Sequence, residues 1–266
     1  MIVVKHECIK SIPLLHVVKQ KEQWEKLPLI IFIHGFTSAK EHNLHYAYLL
    51  AEAGFRILLP EALYHGEREQ DLTEKDLLIH FWDIVLNTIN EIKIIKEFYE
   101  EEGLVKSGEI GVVGTSMGGM VTLGAMTQYE WIKVAVSLMG MPAYEKYSLW
   151  QLEQLSEQGV PLPFNEEEIE QQLATIRQYD LSLQPEKLVN RPLLFWHGKK
   201  DSLVPYPLTY QFFETIKPDY QQNPGNLAFL TDEQAGHKVS REGLIATVEW
   251  FKQHLFINDK NIVGVN

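Results

Sequence analysis

Glu109-Ile110-Gly111-Val112-Val113-Gly114-Thr115-Ser116-Met117-Gly118-Gly119-Met120-Val121 decides how the rest of the chain is read. An apolar run of strand length ends at Val113. The chain then turns on glycines, and residues 120–126 read as a buried helix. Gly-x-Ser-x-Gly between a strand and a helix is a nucleophile elbow. Without Cβ atoms at Gly114 and Gly118 the turn can be sharp and the helix can lie close to the strand. Ser116 is then pushed out at the C-terminal end of the strand with its hydroxyl exposed. The free N–H groups opening the next helix face the same place, where they would stabilise a developing oxyanion. Taken alone, the same residues also describe an ordinary Gly/Ser turn, so the weight falls on partners elsewhere.

Outward from the elbow, strand and helix signals alternate. Leu29-Ile30-Ile31-Phe32-Ile33 is a continuous apolar run, the mark of a strand buried on both faces, and it ends at His34-Gly35-Phe36-Thr37-Ser38. A helix is predicted over residues 43–53, closed by Gly54. Further strands are predicted over 55–59, 134–138, 192–196 and 226–230. Thr73-Glu74-Lys75-Asp76 resembles a capping box and opens one long helix that keeps its period to Gly103. Helices are also predicted over 206–216 and 241–254. Residues 2–9 and 14–19, broken by Pro13, read as a strand pair at a sheet edge. The last dozen residues read as tail. Strand followed by helix, six times over, predicts one domain over residues 1–266 with a mainly parallel sheet covered on both faces. Ligands of such sheets bind beyond the C-terminal ends of the strands.

The alternation breaks at about residues 141–187. Ser148-x-x-Gln151 and Asn165-x-x-Glu168 both look like capping boxes, and two short apolar stripes follow, Leu149, Leu152, Leu155 and Ile169, Leu173, Ile176. The insert carries nine acidic and three basic residues, a net −6. Two or three short helices with the charges outward and the stripes on the body fit this pattern, as a cap over the strand ends.

The net charge of −12 argues against nucleic-acid and anionic-membrane partners, which need basic patches. The single cysteine, Cys8, excludes an internal disulfide and suits a reducing compartment. It reads as a small buried apolar residue. No stretch of about 18 apolar residues is present, and no signal-peptide core, so a cytoplasmic protein is expected.

Ser116, Asp201 and His237 each fall just past a predicted strand, in the chain order expected for a triad on this sheet. Serine is a weak nucleophile until a base takes its proton. Histidine is suited to be that base, and a carboxylate fixes its tautomer and stabilises the imidazolium. Asp232 and Asp180 compete with Asp201 for the acid, but Asp201 has the strand-end position and the Val204-Pro205 sequel. His34 and His197 each precede a glycine at a strand end and read as structural or wall residues. His42 and His45 share a helix face, but two ligands alone are a weak metal signal, so no metal is expected. Tyr64-His65-Gly66-Glu67-Arg68 reads equally as pocket wall or as polar surface loop.

The chain resembles an α/β-hydrolase over about residues 14–255. The matching pieces are His34-Gly35-Phe36, the elbow, Gly198-x-x-Asp201-x-x-Val204-Pro205 and Gly236-His237. Within that fold it is similar to small bacterial carboxylesterases near the dienelactone-hydrolase and prolyl-oligopeptidase branch. The resemblance implies an oxyanion hole from the N–H groups of Phe36 and Met117, no cofactor, and a small-molecule ester as substrate. Dienelactone hydrolases use a cysteine nucleophile, where this chain has Ser116. The same machinery would serve a thioesterase, an amide or peptide hydrolase or a lipase, and the scaffold could also carry a non-catalytic receptor. The one-stripe cap helices favour acyl chains of roughly C2 to C6, by the reckoning that each methylene needs apolar surface to receive it. A homo-oligomer is compatible with the sequence and not specified by it.

Overall fold

The computed structural model describes residues 1–157, 159 and 164–256, so most of the segment read as tail lies outside the described residues. Eight strands form one sheet: β1 (Ile2–Ile9), β2 (Ile12–Lys19), β3 (Leu27–Ile33), β4 (Arg56–Pro60), β5 (Val105–Thr115), β6 (Val134–Leu138), β7 (Leu193–Gly198) and β8 (Leu227–Asp232). Their order across the sheet is β1-β2-β4-β3-β5-β6-β7-β8. β1 and β2 pair antiparallel with each other, and β2 with β4; every later pairing is parallel. The hairpin turns at Lys10 and Ser11, both at positive φ (47° and 70°), as the twist of a tight hairpin demands. Pro13 stays inside β2, and the bond its carbonyl accepts from the Glu61 N–H ties that strand to the loop after β4.

Alternation along the strands divides the core. Leu29, Ile31 and Ile33 of β3 point to one face, and Ile30 and Phe32 to the other. The first face is covered by α3 (Phe81–Glu101), α4 (Met117–Gln128) and α7 (Tyr206–Ile216), the second by α1 (Leu44–Glu52) and α8 (Arg241–His254). The parallel strands are buried at every position from Ile30 to Ile33 and from Val134 to Leu138, which is why they read as unbroken apolar runs rather than alternating ones. This is the α/β-hydrolase fold that the sequence implies.

Several local readings are corrected. The helix expected from Thr73 to Gly103 breaks at His80, where ψ is 6°, giving α2 (Glu74–Ile79) and α3. The Thr73–Asp76 capping box is present, and so is that of Asn165 and Glu168 at the start of α6 (Glu166–Arg177). Ser148 caps nothing. It lies buried inside α5 (Tyr144–Glu157), whose start is tied by the Glu145 N–H donating to Asp180 Oδ2 at 2.9 Å. That partner comes from 35 residues downstream, beyond the reach of any local pattern. Cys8 is exposed on β1, because its side chain leaves the outer face of an edge strand. Arg56, at the start of β4, is fully buried and donates to the carbonyls of Leu104, Gln23 and Glu25 at 3.2, 3.1 and 2.9 Å.

The elbow depends on two missing Cβ atoms. One built on Gly118 would lie 2.2 Å from the Ile33 carbonyl oxygen, and one on Gly114 would lie 2.2 Å from the Gly118 backbone. Backbone cannot step aside as a flexible side chain can. Gly118→Ala should therefore lower the urea midpoint by an amount worth at least about 1–3 kcal/mol, or prevent folding. Gly225→Ala, whose Cβ would meet nothing within 4 Å, should leave the midpoint unchanged in the same experiment.

Candidate active site

Ser116 sits between β5 and α4 at φ 55°, ψ −116°. A non-glycine residue there costs about 1–3 kcal/mol and persists only where its surroundings hold it. They do: the Ser116 N–H donates to Leu138 O at 2.8 Å, and Ser116 O accepts from the Met120 N–H at 3.0 Å. The strain turns the Ser116 hydroxyl outward, to 2.8 Å from His237 Nε2. His237 Nδ1 lies 2.7 Å from Asp201 Oδ2. An ionised carboxylate accepts, so Nδ1 carries the proton and Nε2 is left to accept from the serine.

Asp201 comes from the loop after β7. Its Oδ1 accepts from the N–H groups of Leu203 and Val204, both at 2.9 Å. Burial works to raise this carboxyl, but the bonds from His197, His237 and the Val204 N–H outweigh it and hold Asp201 well below the usual carboxylate range. Asp232 and Asp180, the competing acids, are occupied elsewhere: Asp232 Oδ1 accepts from the Gln234 and Ala235 N–H groups in the turn leading to His237, and Asp180 anchors α5.

The loop after β3 packs against the nucleophile: a Cβ on Gly35 would lie 3.5 Å from Ser116 Cβ. Among the described residues, neither the Phe36 nor the Met117 N–H donates to a backbone carbonyl in the surrounding turns and loops. Met117 follows Ser116 directly and opens α4, and Phe36 lines the same cavity as Ser116.

Other sequence candidates fall outside the reacting centre. His34 Nδ1 donates to Gly35 O at 2.7 Å, and its Nε2 accepts from the Ala62 N–H at 3.0 Å. His197 Nε2 donates to Val204 O at 3.0 Å and lies 3.4 Å from Asp201 Oδ2. His42 Nδ1 pairs with Ser38 Oγ at 3.0 Å, and His45 packs on Tyr46. The ligand-type side chains that do converge among the described residues are Glu41, Glu61 and Glu67, and the Lys40 ammonium sits among them at 2.9, 2.6 and 2.5 Å. The segment Tyr64 to Arg68 is neither pocket wall nor bare surface. It grips the loop after β3 through His65, whose Nε2 accepts the Thr37 N–H at 3.0 Å, and Glu61, three residues before the segment, adds a second hold as its Oε1 accepts the Lys40 N–H at 3.1 Å.

Ser116 and His237 open onto a cavity of about 570 Å³, within the range that holds small organic ligands. Phe81 and Trp82 wall it from α3, and Tyr147, Trp150, Leu155 and Phe164 from the cap. The cap helices therefore do not lay their apolar side chains on the body alone; part of that surface faces the cavity. The wall is joined to the acid, because the Tyr147 hydroxyl donates to Leu203 O at 3.1 Å.

A parallel sheet of this order, with a hydrogen-bonded serine, histidine and aspartate past its strand ends, defines a serine hydrolase of the α/β-hydrolase fold. The prolyl oligopeptidase family matches residues 86–258, and the chain belongs to that family. "Putative esterase YitV" of Bacillus subtilis (strain 168) is 52% identical over 255 residues, covering 96% of this chain and all of that protein. "Esterase YjfP" of Escherichia coli (strain K12) is 29% identical over 259 residues, covering 96% of this chain and all of that one. In fold the chain is similar to TT1662 from Thermus thermophilus, with a TM-score of 0.76 at 19% identity over 97% of this chain and all of that one. It is also similar to an acylaminoacyl peptidase of Pyrococcus horikoshii, with a TM-score of 0.71 at 20% identity over 99% of this chain but 44% of that one. Among the described residues no helix is long and apolar enough to cross a membrane.

Glu61 gives the site an acid limit. Burial raises its carboxyl, but the groups facing it, among which the Lys40 ammonium and N–H donate to it, more than reverse this and bring it down to about 2. A carboxyl lower in the folded than in the unfolded chain stabilises the fold above its unfolded pKa, near 4.5, and that contribution is lost as pH falls through the folded value. Stability should therefore drop between about pH 4.5 and pH 2. Glu61→Gln should be less stable than wild type at neutral pH and lose part of that acid slope, read from urea midpoints across the range.

Proposed function

We propose that the protein hydrolyses small carboxylic esters through an acyl-serine intermediate. The observation that carries this reading is the unbroken hydrogen-bonded run from Ser116 Oγ through His237 to Asp201, opening on an apolar cavity. Ser116 attacks the ester carbonyl as His237 Nε2 takes its proton. The Phe36 and Met117 N–H groups hold the oxyanion, and His237 returns the proton to the leaving alcohol. Water, activated by the same histidine, then frees the acid. Asp201 holds His237 in its tautomer and stabilises the imidazolium. None of these steps calls on a cofactor. The names of the two esterase relatives support an oxygen ester over a peptide. The single cysteine and acidic charge fit a cytoplasmic protein acting on small molecules rather than on nucleic acid or membrane.

Ser116→Ala should lower turnover of p-nitrophenyl acetate on the order of 10⁶-fold and abolish labelling by a fluorophosphonate, with the fold kept. Asp201→Asn should cost about 10⁴-fold and Asp232→Asn far less. A reversal of the two aspartates would identify a different acid, and labelling that survives Ser116→Ala a different nucleophile.

The cavity has a finite apolar wall, so acyl length should be read out in kcat/KM. Each methylene that finds apolar wall is worth up to about 0.8 kcal/mol, or nearly fourfold. The series of p-nitrophenyl esters should climb over the first few carbons and level off once the apolar wall is covered, before dodecanoate. A value still rising at dodecanoate, measured below micelle formation, would mark a lipase.

A further inference from the structure

We propose that His65 is a positioning residue for catalysis: by accepting the Thr37 N–H at its Nε2, it fixes the direction of the neighbouring Phe36 N–H in the oxyanion hole. The proposal rests on the serine-hydrolase reading above. Thr37 is exposed and held at φ 56°, a conformation that side-chain-bearing residues rarely keep unaided. It follows Phe36 directly, so a rotation that lets Thr37 relax swings the Phe36–Thr37 peptide plane, which is hinged at the Phe36 Cα to the Gly35–Phe36 plane that carries the oxyanion N–H. What prevents it is a ring brought from the next βα loop, 28 residues away.

The imidazole is built into its place. It is almost fully buried, and its Nδ1–H donates to Leu63 O at 2.8 Å. That bond leaves Nε2 an acceptor aimed at Thr37. The Phe36 ring meets the His65 ring edge-on at 5.5 Å and meets Phe81 at 5.3 Å, so the same residue is held from both its backbone and its side chain. Behind the ring, the other ends of the two loops are joined by Glu61. Its carboxylate accepts from Lys40 Nζ at 2.6 Å and from the Lys40 N–H, with neither side chain exposed to solvent. Gly66 lets this carboxylate approach, since a Cβ there would lie 2.1 Å from Glu61 Oε2. With the Ala62 N–H donating to His34 Nε2, one loop is thus clamped to the other at His34, before Phe36, and at Thr37 and Lys40, after it. His65 touches neither the cavity nor the triad, and its effect must travel through the Phe36–Thr37 peptide.

The test compares His65→Phe, which keeps a ring but loses the acceptor, with His65→Gln, whose amide oxygen can accept. For p-nitrophenyl butyrate, His65→Phe should lower kcat by about 10- to 100-fold, short of the full loss of an oxyanion donor, with KM changed less than about threefold. Inhibition by a trifluoromethyl ketone, which forms the tetrahedral oxyanion on serine, should weaken by the same factor as kcat/KM. His65→Gln should recover much of both. If kcat and inhibitor affinity are unchanged in His65→Phe, or if Gln is no better than Phe, His65 is only structural and the proposal fails. A second measurement needs no folded Phe variant. Imidazole 15N–1H correlation of the wild type, assigned by the signals lost in His65→Gln, should show the neutral Nδ1–H tautomer at neutral pH; an Nε2–H form overturns the proposal. A wild-type enzyme inert to esters and fluorophosphonate would overturn the hydrolase reading instead, and the tautomer would still decide the Thr37 contact.

Discussion

The close approach of α4 to the strands beneath it is the contact on which the rest of the site depends. The Ile33 carbonyl, at the end of β3, lies where a Cβ of Gly118 would be, and Gly118 lies where a Cβ of Gly114 would be. This brings the helix N-terminus down onto the strand ends, and Ser116 is driven out of ordinary backbone space as the chain turns between them. Because β3 is one side of the contact, the loop that follows β3 is delivered to the serine as well. Ser116 and the loop that carries Phe36 are therefore placed by one packing event rather than by separate ones. His237 and Asp201 arrive by the sheet's own order, from the loops after β8 and β7.

The parts of this arrangement legible in the sequence were those that short patterns encode. Buried parallel strands are apolar at consecutive positions, so Leu29 to Ile33 and Val134 to Leu138 could be read without a partner in view. The elbow is legible because its glycines answer a steric demand made within five residues. Asp201 and His237 are legible from their place after strands, and the hydrogen bonds join them to Ser116 as the chain order implies. What was missed was made by contacts distant in sequence. Ser148 has the local signature of a helix cap, but Asp180 supplies a partner to the Glu145 N–H, three residues earlier, and the helix starts at Tyr144. The break at His80 leaves apolar periodicity intact on both sides, so the pattern showed one helix. His65, Glu61 and Lys40 form no motif, and their meeting exists only once β3 and β4 are side by side.

That buried cluster carries a cost. Lys40 and Glu61 lose their water, and in an apolar setting such a pair is often no better than well-packed hydrocarbon. Here it is not isolated: Glu61 also accepts a backbone N–H, and Glu41 and Glu67 share the ammonium. Charges with fixed partners define one geometry where a greasy contact would accept several. The cluster secures the shape of a short loop that has no regular structure of its own.

The bond from Tyr147 to the Leu203 carbonyl has a meaning for how such enzymes diversify. The cap carries much of the wall that a substrate meets, while the reacting groups come from loops of the sheet, so the two look like exchangeable parts. Tyr147 joins them: its hydroxyl holds the residue whose N–H supports Asp201. A lineage, or a designer, that replaces the cap to change what is bound inherits a debt at the acid, and must supply another donor for that carbonyl or accept a looser carboxylate. The cavity wall and the Asp201 loop are thus coupled through one phenol. Drift in the cap is free only where it leaves that phenol in reach.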